Sequence, residues 1–214
     1  MSGAIRALAT GAVLAALCAA PAAAQTHSGS IGYGGGGIWF GSFGGASELK
    51  LEPGWVANLQ ADQWYWRGRV GARANVAFTQ RPLRTGLDER QINTWFFDGS
   101  VLLRPVPPRE GGSVAPYLSL GAGVVNYGFG RGRPVVLGDA VYPGSGERQL
   151  ALVVGAGVDF VPRVVFLDTP LGLRLDFADH VTLESPFESR GGDAFGPVHN
   201  VRVMVGLIGL VGNR

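Results

Sequence analysis

The stretch LSLGAGV at residues 118–124 alternates between apolar and small side chains, and this alternation indicates the class of fold. Successive side chains of a β-strand point to opposite faces of the sheet, so a period of two predicts a strand with one apolar face. The apolar face carries Leu118, Leu120, Ala122 and Val124, and the other carries Ser119, Gly121 and Gly123.

The same period recurs along the chain. It is clear at residues 55–62, 70–78, 150–160, 171–178 and 201–207, less regular at 92–104, and obscured by glycine at 31–43. Eight strands of roughly ten residues are long enough to cross a bilayer at a tilt of about 45°. We therefore predict an all-β fold, an eight-stranded antiparallel up-and-down transmembrane β-barrel.

Composition excludes other classes of protein. Charged residues make up 16% of the 214-residue chain, and glycine accounts for 35 positions. This glycine content argues against a soluble helical enzyme. No run of 18 apolar residues follows the first 24 residues, which argues against membrane-spanning helices. A formal net charge of +2 gives no reason to expect a nucleic-acid partner.

Residues 1–24 have the pattern of a cleavable signal peptide. Arg6 precedes an apolar stretch at residues 7–20, and the small residues 22–24 end the segment. We therefore predict an exported barrel domain at residues 25–214. The single cysteine, Cys18, lies in the leader, so the exported domain would have neither a disulfide nor a thiolate zinc site.

The connections differ in length on the two sides of the predicted barrel. With the amino end on the inner side, the external loops would be residues 44–53, 80–91, 129–147 and 184–197. The inner connections would be a tight turn at Trp66 and the segments 105–114 and 161–169. Longer external loops are typical of outer-membrane barrels.

The polar faces of the strands combine small residues with arginine and aspartate. An eight-stranded barrel has an interior just wide enough for side chains to fill, so we expect these charges to pair in the lumen while the apolar faces contact lipid. A packed, neutralised lumen is favoured over an ion path. The predicted lumen charges are Arg69, Arg73, Arg174, Arg202, Asp62, Asp98, Asp159 and Asp176.

Aromatic residues concentrate near the predicted strand ends. Such residues form girdles at both membrane interfaces. The predicted inner girdle is Trp64, Tyr65, Trp66, Tyr117 and Phe160, and the outer one is Phe43, Trp55, Phe78, Trp95 and Tyr127.

Residues 115–124, APYLSLGAGV, resemble the Pro-Tyr-x-x-x-Gly-x-Gly strand of the OmpA/OmpX/opacity-type eight-stranded outer-membrane β-barrels. Residues 173–182 and 199–207 are similar to the last two strands of that superfamily. The resemblance implies a monomer in the cell outer membrane, in contact with lipopolysaccharide and inserted by the barrel-assembly machinery. The chain ends in Val211-Gly212-Asn213-Arg214, whereas these barrels usually end on an aromatic residue.

Two groups of residues suggest more specific chemistry. His180, Thr182 and Glu184 vaguely resemble the His-x-Ser and acid arrangement of lipid A deacylases, although threonine replaces serine. The segment 131–133, Arg-Gly-Arg, could contact lipopolysaccharide phosphates or an unknown acidic extracellular ligand, but an arginine in an exposed loop is more often simply solvated, and this second interpretation is favoured. The glycines at 34–37 precede no helix and predict no phosphate site, and His27, His180 and His199 lack metal-ligand spacing.

The sequence therefore predicts a structural or surface-interaction protein whose external loops recognise partners. It predicts no catalytic residues, cofactor or metal. Two alternatives stay open at this point: a lipid A-modifying enzyme of the outer membrane, and a soluble periplasmic barrel that binds lipid. Dependence on detergent separates the soluble alternative from the other two.

Overall fold

The computed structural model describes residues 28–40, 49–85, 88–106, 113–128, 135–137, 140–142, 146–166, 169–185, 188–189 and 196–212. Eight long strands lie in these ranges: β1 (Ser28–Phe40), β3 (Gly54–Tyr65), β4 (Val70–Thr85), β5 (Asp88–Leu103), β6 (Ser113–Gly128), β9 (Glu147–Phe166), β10 (Thr169–Thr182) and β12 (Val198–Gly212). Four short strands lie between them: β2 (Leu49–Leu51), β7 (Val135–Leu137), β8 (Ala140–Tyr142) and β11 (Glu188–Ser189). Within the described residues, no helix is long and apolar enough to cross a membrane.

The eight long strands form one closed antiparallel sheet. Each pairs with the long strand before and after it in the chain, and β1 pairs with β12, from Ser28 opposite Gly212 to Phe40 opposite Asn200. Closure satisfies the backbone N–H and C=O groups of every long strand, as hydrocarbon surroundings require. The predicted up-and-down barrel of eight strands is confirmed.

The register of the strands sets the tilt of the barrel. We start at Ser28 on β1 and step from each residue to its paired residue on the next strand until the path returns to β1. The path arrives at Ile38, ten residues beyond its start, and passes through Trp64, Gly71, Leu102, Ser119, Gly155, Ala178 and Arg202. An offset of ten residues over eight strands inclines the strands by about 40° to the barrel axis. This inclination is typical of closed barrels.

Exposure alternates along the strands as the sequence predicts. On β6, Leu118 and Leu120 are exposed, Leu120 by 59%, while Ser119 is buried. The glycine-rich β1 has the same arrangement, with Ile31, Tyr33 and Trp39 on the outside. We call this outward apolar surface of the eight long strands the outer belt. Because the leucines and valines point outward, the soluble lipid-binding alternative is wrong.

Two predicted loops are largely strand. Residues 80–85 pair with residues 88–93, so the β4–β5 hairpin occupies most of the predicted external loop 80–91. On the inner side, β9 and β10 run to Phe166 and from Thr169, which replaces most of the predicted connection 161–169. Apolar and polar residues do not alternate in residues 80–85 and 161–166, so the sequence pattern that marks a strand is absent there, although Arg81 is buried.

The end of the barrel that the sequence predicts to be external carries further β-structure. Strand β2 pairs with the outer part of β4, and strands β7, β8 and β11 form a separate three-stranded sheet. Strands β7 and β8 follow β6, whereas β11 follows β10, so this sheet joins two different external segments. The Arg-Gly-Arg segment 131–133 lies outside the described residues.

The tight inner turn after β3 has left-handed backbone conformations. The φ angles are 48° at Trp66, 58° at Arg67 and 79° at Gly68, a region in which glycine is the natural residue. This turn interrupts the alternation, and Arg69 is exposed rather than inside the barrel. The prediction that Arg69 belongs to the lumen set is therefore wrong.

The barrel lumen as candidate functional site

The inner half of the lumen contains a connected set of arginine–aspartate ion pairs. Arg174 is 1% exposed and lies between two carboxylates: its Nε is 2.6 Å from Asp159 Oδ1, and its Nη1 is 2.6 Å from Asp62 Oδ2. Arg73 Nε is 2.8 Å from Asp62 Oδ1, and Arg73 Nη1 is 2.6 Å from Asp176 Oδ2. We call this set, completed by Arg104 on Asp159, the inner ionic cluster.

Aromatic rings pack against the inner ionic cluster. The guanidinium carbons of Arg73 and Arg174 lie 4.8 and 5.2 Å from the centre of the Tyr117 ring. The guanidinium carbon of Arg104 lies 3.5 Å from the ring centre of Trp64. Cations over ring faces are attracted by the ring quadrupole, and the attraction grows when water is excluded.

Three residues predicted for the girdles therefore lie in the lumen instead. Trp64 and Tyr117 are buried with Leu102 in one cluster, and Tyr127 is buried at the outer end. Each ring shares the parity of a lumen residue on its own strand, because Trp64 is two positions from Asp62 and Tyr117 is two from Ser119. Whether a position is an odd or an even number of residues from a known lumen residue therefore identifies these rings as lumen residues. Nearness to a strand end does not, because both faces of the strand have residues there.

The outer half of the lumen contains a second set of buried polar groups, the outer polar cluster. Asp98 Oδ2 accepts a hydrogen bond from Asn75 Nδ2 at 2.7 Å and lies 2.8 Å from His180 Nε2. Arg202 Nη2 is 3.8 Å from the same carboxylate oxygen. Asn58 donates to Asn75 at 3.2 Å and extends the network across the lumen.

The charges of the two clusters balance each other. Four arginines, Arg73, Arg104, Arg174 and Arg202, face four aspartates, Asp62, Asp98, Asp159 and Asp176, and all eight are buried. Taking a charge out of water is costly unless an opposite charge and hydrogen bonds satisfy it. Cross-lumen pairs such as Asp62–Arg174 fill the interior, as expected for eight strands. The prediction of paired lumen charges is confirmed for every predicted member except Arg69. Two further arginines that the sequence did not predict for the lumen, Arg81 and Arg104, are also buried.

Glycine makes room for the largest lumen side chains. Gly157 on β9 lies directly opposite Tyr117 on β6. A Cβ atom at Gly157 would contact the phenol oxygen and Cζ of Tyr117 and would lie 2.7 Å from the Leu175 carbonyl oxygen. An aromatic ring laid over a cross-strand glycine covers backbone that lacks a side chain of its own.

The deacylase-like residues do not come together as that chemistry requires. His180 faces the lumen and contacts Asp98, and the Thr182 hydroxyl donates to the Val198 carbonyl at 3.4 Å. Glu184 lies past the end of β10 and is exposed. An acyl hydrolase acting on membrane lipid needs its base and nucleophile on the lipid side of the barrel. The sequence analogy is therefore not supported by the geometry.

The remaining sequence candidates lie elsewhere. The glycines at 34–37 are part of β1. His199 is on the outside of β12, where its Nδ1 is 2.6 Å from Asp179 Oδ2. His27 and Phe43 lie outside the described residues, as does the predicted leader.

Aromatic rings form a contact row on the outer part of the outer belt. The ring centres of Trp55 and Phe78 are 5.7 Å apart, those of Phe78 and Trp95 are 4.7 Å apart, and those of Trp95 and Phe97 are 6.1 Å apart. At the inner end, Trp66 and Phe160 are exposed. Exposed rings at both ends of an apolar belt are typical of membrane interfaces.

Comparisons with known proteins give distant structural matches. No protein-family model matches the chain, and no curated protein matches it by sequence. Among solved structures, the chain is similar to the attachment invasion locus protein Ail of Yersinia pestis, with 15% identity over 87% of this chain and 100% of that one and a TM-score of 0.46. It is similar to Neisserial surface protein A (11% identity, 86% and 95% covered, TM-score 0.49) and to a major outer membrane protein of Thermus thermophilus (14%, 87% and 100%, 0.48).

The side chains on the inside and on the outside of the barrel both indicate a protein that spans a membrane. The outer belt is apolar with aromatic ends, the buried charges are paired in the lumen, and the long strands close on themselves. A protein folded in water would have the opposite distribution of apolar and charged side chains. The chain is therefore an eight-stranded, antiparallel, up-and-down transmembrane β-barrel.

Proposed function

We propose that this protein is an integral barrel of the cell outer membrane in a Gram-negative type of cell, with a structural or surface-interaction role. The membrane part serves as a rigid, closed scaffold, and the external β-structure forms the recognition surface. Functional variation on such scaffolds belongs to the segments beyond the membrane.

The proposal rests on one contrast: the lumen is packed with ion pairs in the membrane part of the barrel, whereas the outer end carries ordered β-structure. In the middle, ion pairs such as Arg73–Asp176 cross the lumen and leave the scaffold packed. At the outer end, the β4–β5 hairpin continues to Thr85 and Asp88, and β7, β8 and β11 join segments after β6 and β10. Ordered backbone beyond the membrane offers a partner a preorganised surface.

The proposed partners follow from the environment of the barrel. Outer-membrane lipid and lipopolysaccharide surround the outer belt, and the barrel-assembly machinery inserts the chain after export by the signal peptide of residues 1–24. A monomer suffices, since the long strands close without a second copy.

Fractionation combined with surface proteolysis tests the proposal. Expressed in a Gram-negative host, the protein should remain in the outer-membrane fraction after carbonate washing and need detergent for extraction. Protease added to intact cells should cleave within residues 129–147 and leave the long strands protected. Recovery of a folded monomer in detergent-free buffer, or cleavage only after the outer membrane is opened, would contradict the proposal.

We also propose that the protein is not an enzyme. The imidazole of His180 is engaged by Asp98 inside the lumen, away from lipid acyl chains. Lipid A from cells producing the protein should have the same acyl pattern by mass spectrometry as lipid A from cells producing His180→Ala. A missing acyl chain that depends on His180 would overturn this part of the proposal.

A further inference from the structure

One ionisable residue lies within the apolar row of strand β10. The outward row reads Leu173, Leu175, Phe177, then Asp179, then Val181. The residues opposite Asp179 on the neighbouring strands are Val154 on β9 and Val201 on β12. A charge on the lipid side of a barrel is destabilising, so its presence there calls for a function or a partner.

The Asp179 carboxylate is held by protein groups on both of its oxygens. Oδ2 is 2.6 Å from Nδ1 of His199, and Oδ1 accepts a hydrogen bond from the backbone N–H of Asn200 at 3.1 Å. The side chain of Asp179 is 19% exposed. A carboxylate that already accepts on both oxygens is poorly placed to ligate a cation, so it serves instead to orient the imidazole.

The imidazole of His199 is the accessible part of this pair. Its side chain is 53% exposed, and Nδ1 faces the carboxylate. A carboxylate on Nδ1 keeps the proton there, which leaves Nε2 as the atom that meets a ligand. Within the described part of the chain, Nε2 of His199 has no protein hydrogen-bond partner. When Nε2 is also protonated, the ring is a cation whose charge Asp179 balances, and it donates a hydrogen bond outward.

The level of the pair along the barrel identifies what it meets. Trp39 on β1 lies opposite Val201, two residues from His199, and is 45% exposed on the outside. Exposed tryptophans on a membrane barrel sit at the level of lipid headgroups. The pair therefore lies where headgroup phosphates of the outer leaflet approach the protein, and an N–H donor backed by a carboxylate suits a phosphate oxygen.

We infer that His199, positioned by Asp179 and flanked by Trp39, binds the phosphate of an anionic lipid headgroup at the outer rim of the barrel. The phosphate binds the imidazolium form of the ring, in which Nδ1–H donates to Asp179 and Nε2–H donates to a phosphate oxygen. The inference rests on the proposed function, since it requires that the barrel span a membrane with this rim in the headgroup layer.

Histidine NMR in micelles tests the site. The protein, labelled with ¹⁵N-histidine and folded in a non-ionic detergent, is titrated with dihexanoyl-phosphatidylglycerol and, separately, with dihexanoyl-phosphatidylcholine. The Nε2 signal of His199, assigned by its loss in His199→Gln, should shift saturably with the anionic lipid and less with the zwitterionic one. His180, buried in the lumen, is the internal control and should not shift.

The variants separate positioning from binding. Asp179→Asn should keep the heat-modifiable migration of a folded barrel while weakening the response of His199 to the anionic lipid. Equal responses to the two lipids, or no response of His199 in a folded barrel, would overturn the inference and leave the proposed function intact. A chain that does not fold in micelles at all would count against the proposed function instead.

Discussion

At the scale of single residues, the stability of the lumen depends on buried charged groups that pair with one another. Arg174 holds Asp62 and Asp159 together, and these aspartates also contact Arg73 and Arg104. Removing one member of such a network leaves buried charge without compensation, whereas removing an exposed arginine does not. The sequence places the charges on one face, but only the register shows which of them meet.

Arg174→Met should lower the free energy of unfolding by about 3 kcal/mol, since two buried carboxylates lose a shared partner. Urea titration of the barrel in vesicles, followed by tryptophan fluorescence, measures the change. Arg69→Met is the matched control, because Arg69 is exposed at the turn and its loss should change stability by less than about 0.5 kcal/mol. Equal stability of both variants would disprove the role of the inner ionic cluster.

Gly157→Ala should destabilise the barrel by about 1 to 3 kcal/mol, because the new methyl group overlaps the Tyr117 ring. The control is Gly35→Ala on the exposed side of β1, where the nearest atom to the added Cβ is 3.5 Å away. Combining Gly157→Ala with Tyr117→Leu should cost less than the sum of the two single changes. Full additivity in the same urea titration would argue that the two residues do not compete for space.

At the scale of strands, alternation predicts which face meets lipid. Leu120 and Ser119 are adjacent on β6 and point to opposite sides of the sheet. Leu120→Arg should block membrane assembly, since an arginine near the bilayer midplane costs about 2 to 4 kcal/mol. Ser119→Ala should assemble normally. Heat-modifiable migration on gels reads out folding, and equal folding of the two variants would refute the face assignment.

Strand alternation predicts the faces but not the ends of the elements. It identifies all eight long strands and places Asp62, Asp98 and Arg174 inside. It misses residues 80–85 because apolar and polar residues do not alternate there. It misplaces Arg69, which has the parity of Arg73 but lies in the turn before β4 begins at Val70. The Asp179–His199 pair depends on the β10–β12 register, which no single strand encodes.

At the scale of the whole molecule, a filled lumen predicts a barrel that does not conduct. In planar bilayers the wild-type protein should give no steady channel current. Replacing the core of the inner ionic cluster by serine, as Asp62→Ser, Arg73→Ser, Asp159→Ser and Arg174→Ser together, leaves the net charge of the lumen unchanged while removing the side chains that fill it, and should admit ions. The same current from both proteins would show that the cluster is not the barrier.

The seam between β1 and β12 makes the barrel an all-or-none object. The first long strand finds its second partner only when the last one is in place, with Ser28 beside Gly212. A polypeptide truncated before Val198 would enter the membrane with two unpaired strand edges, each exposing a row of amide dipoles to hydrocarbon. The individual strands therefore do not contribute stability independently of the closed barrel. Truncated chains should be degraded rather than accumulate as smaller barrels.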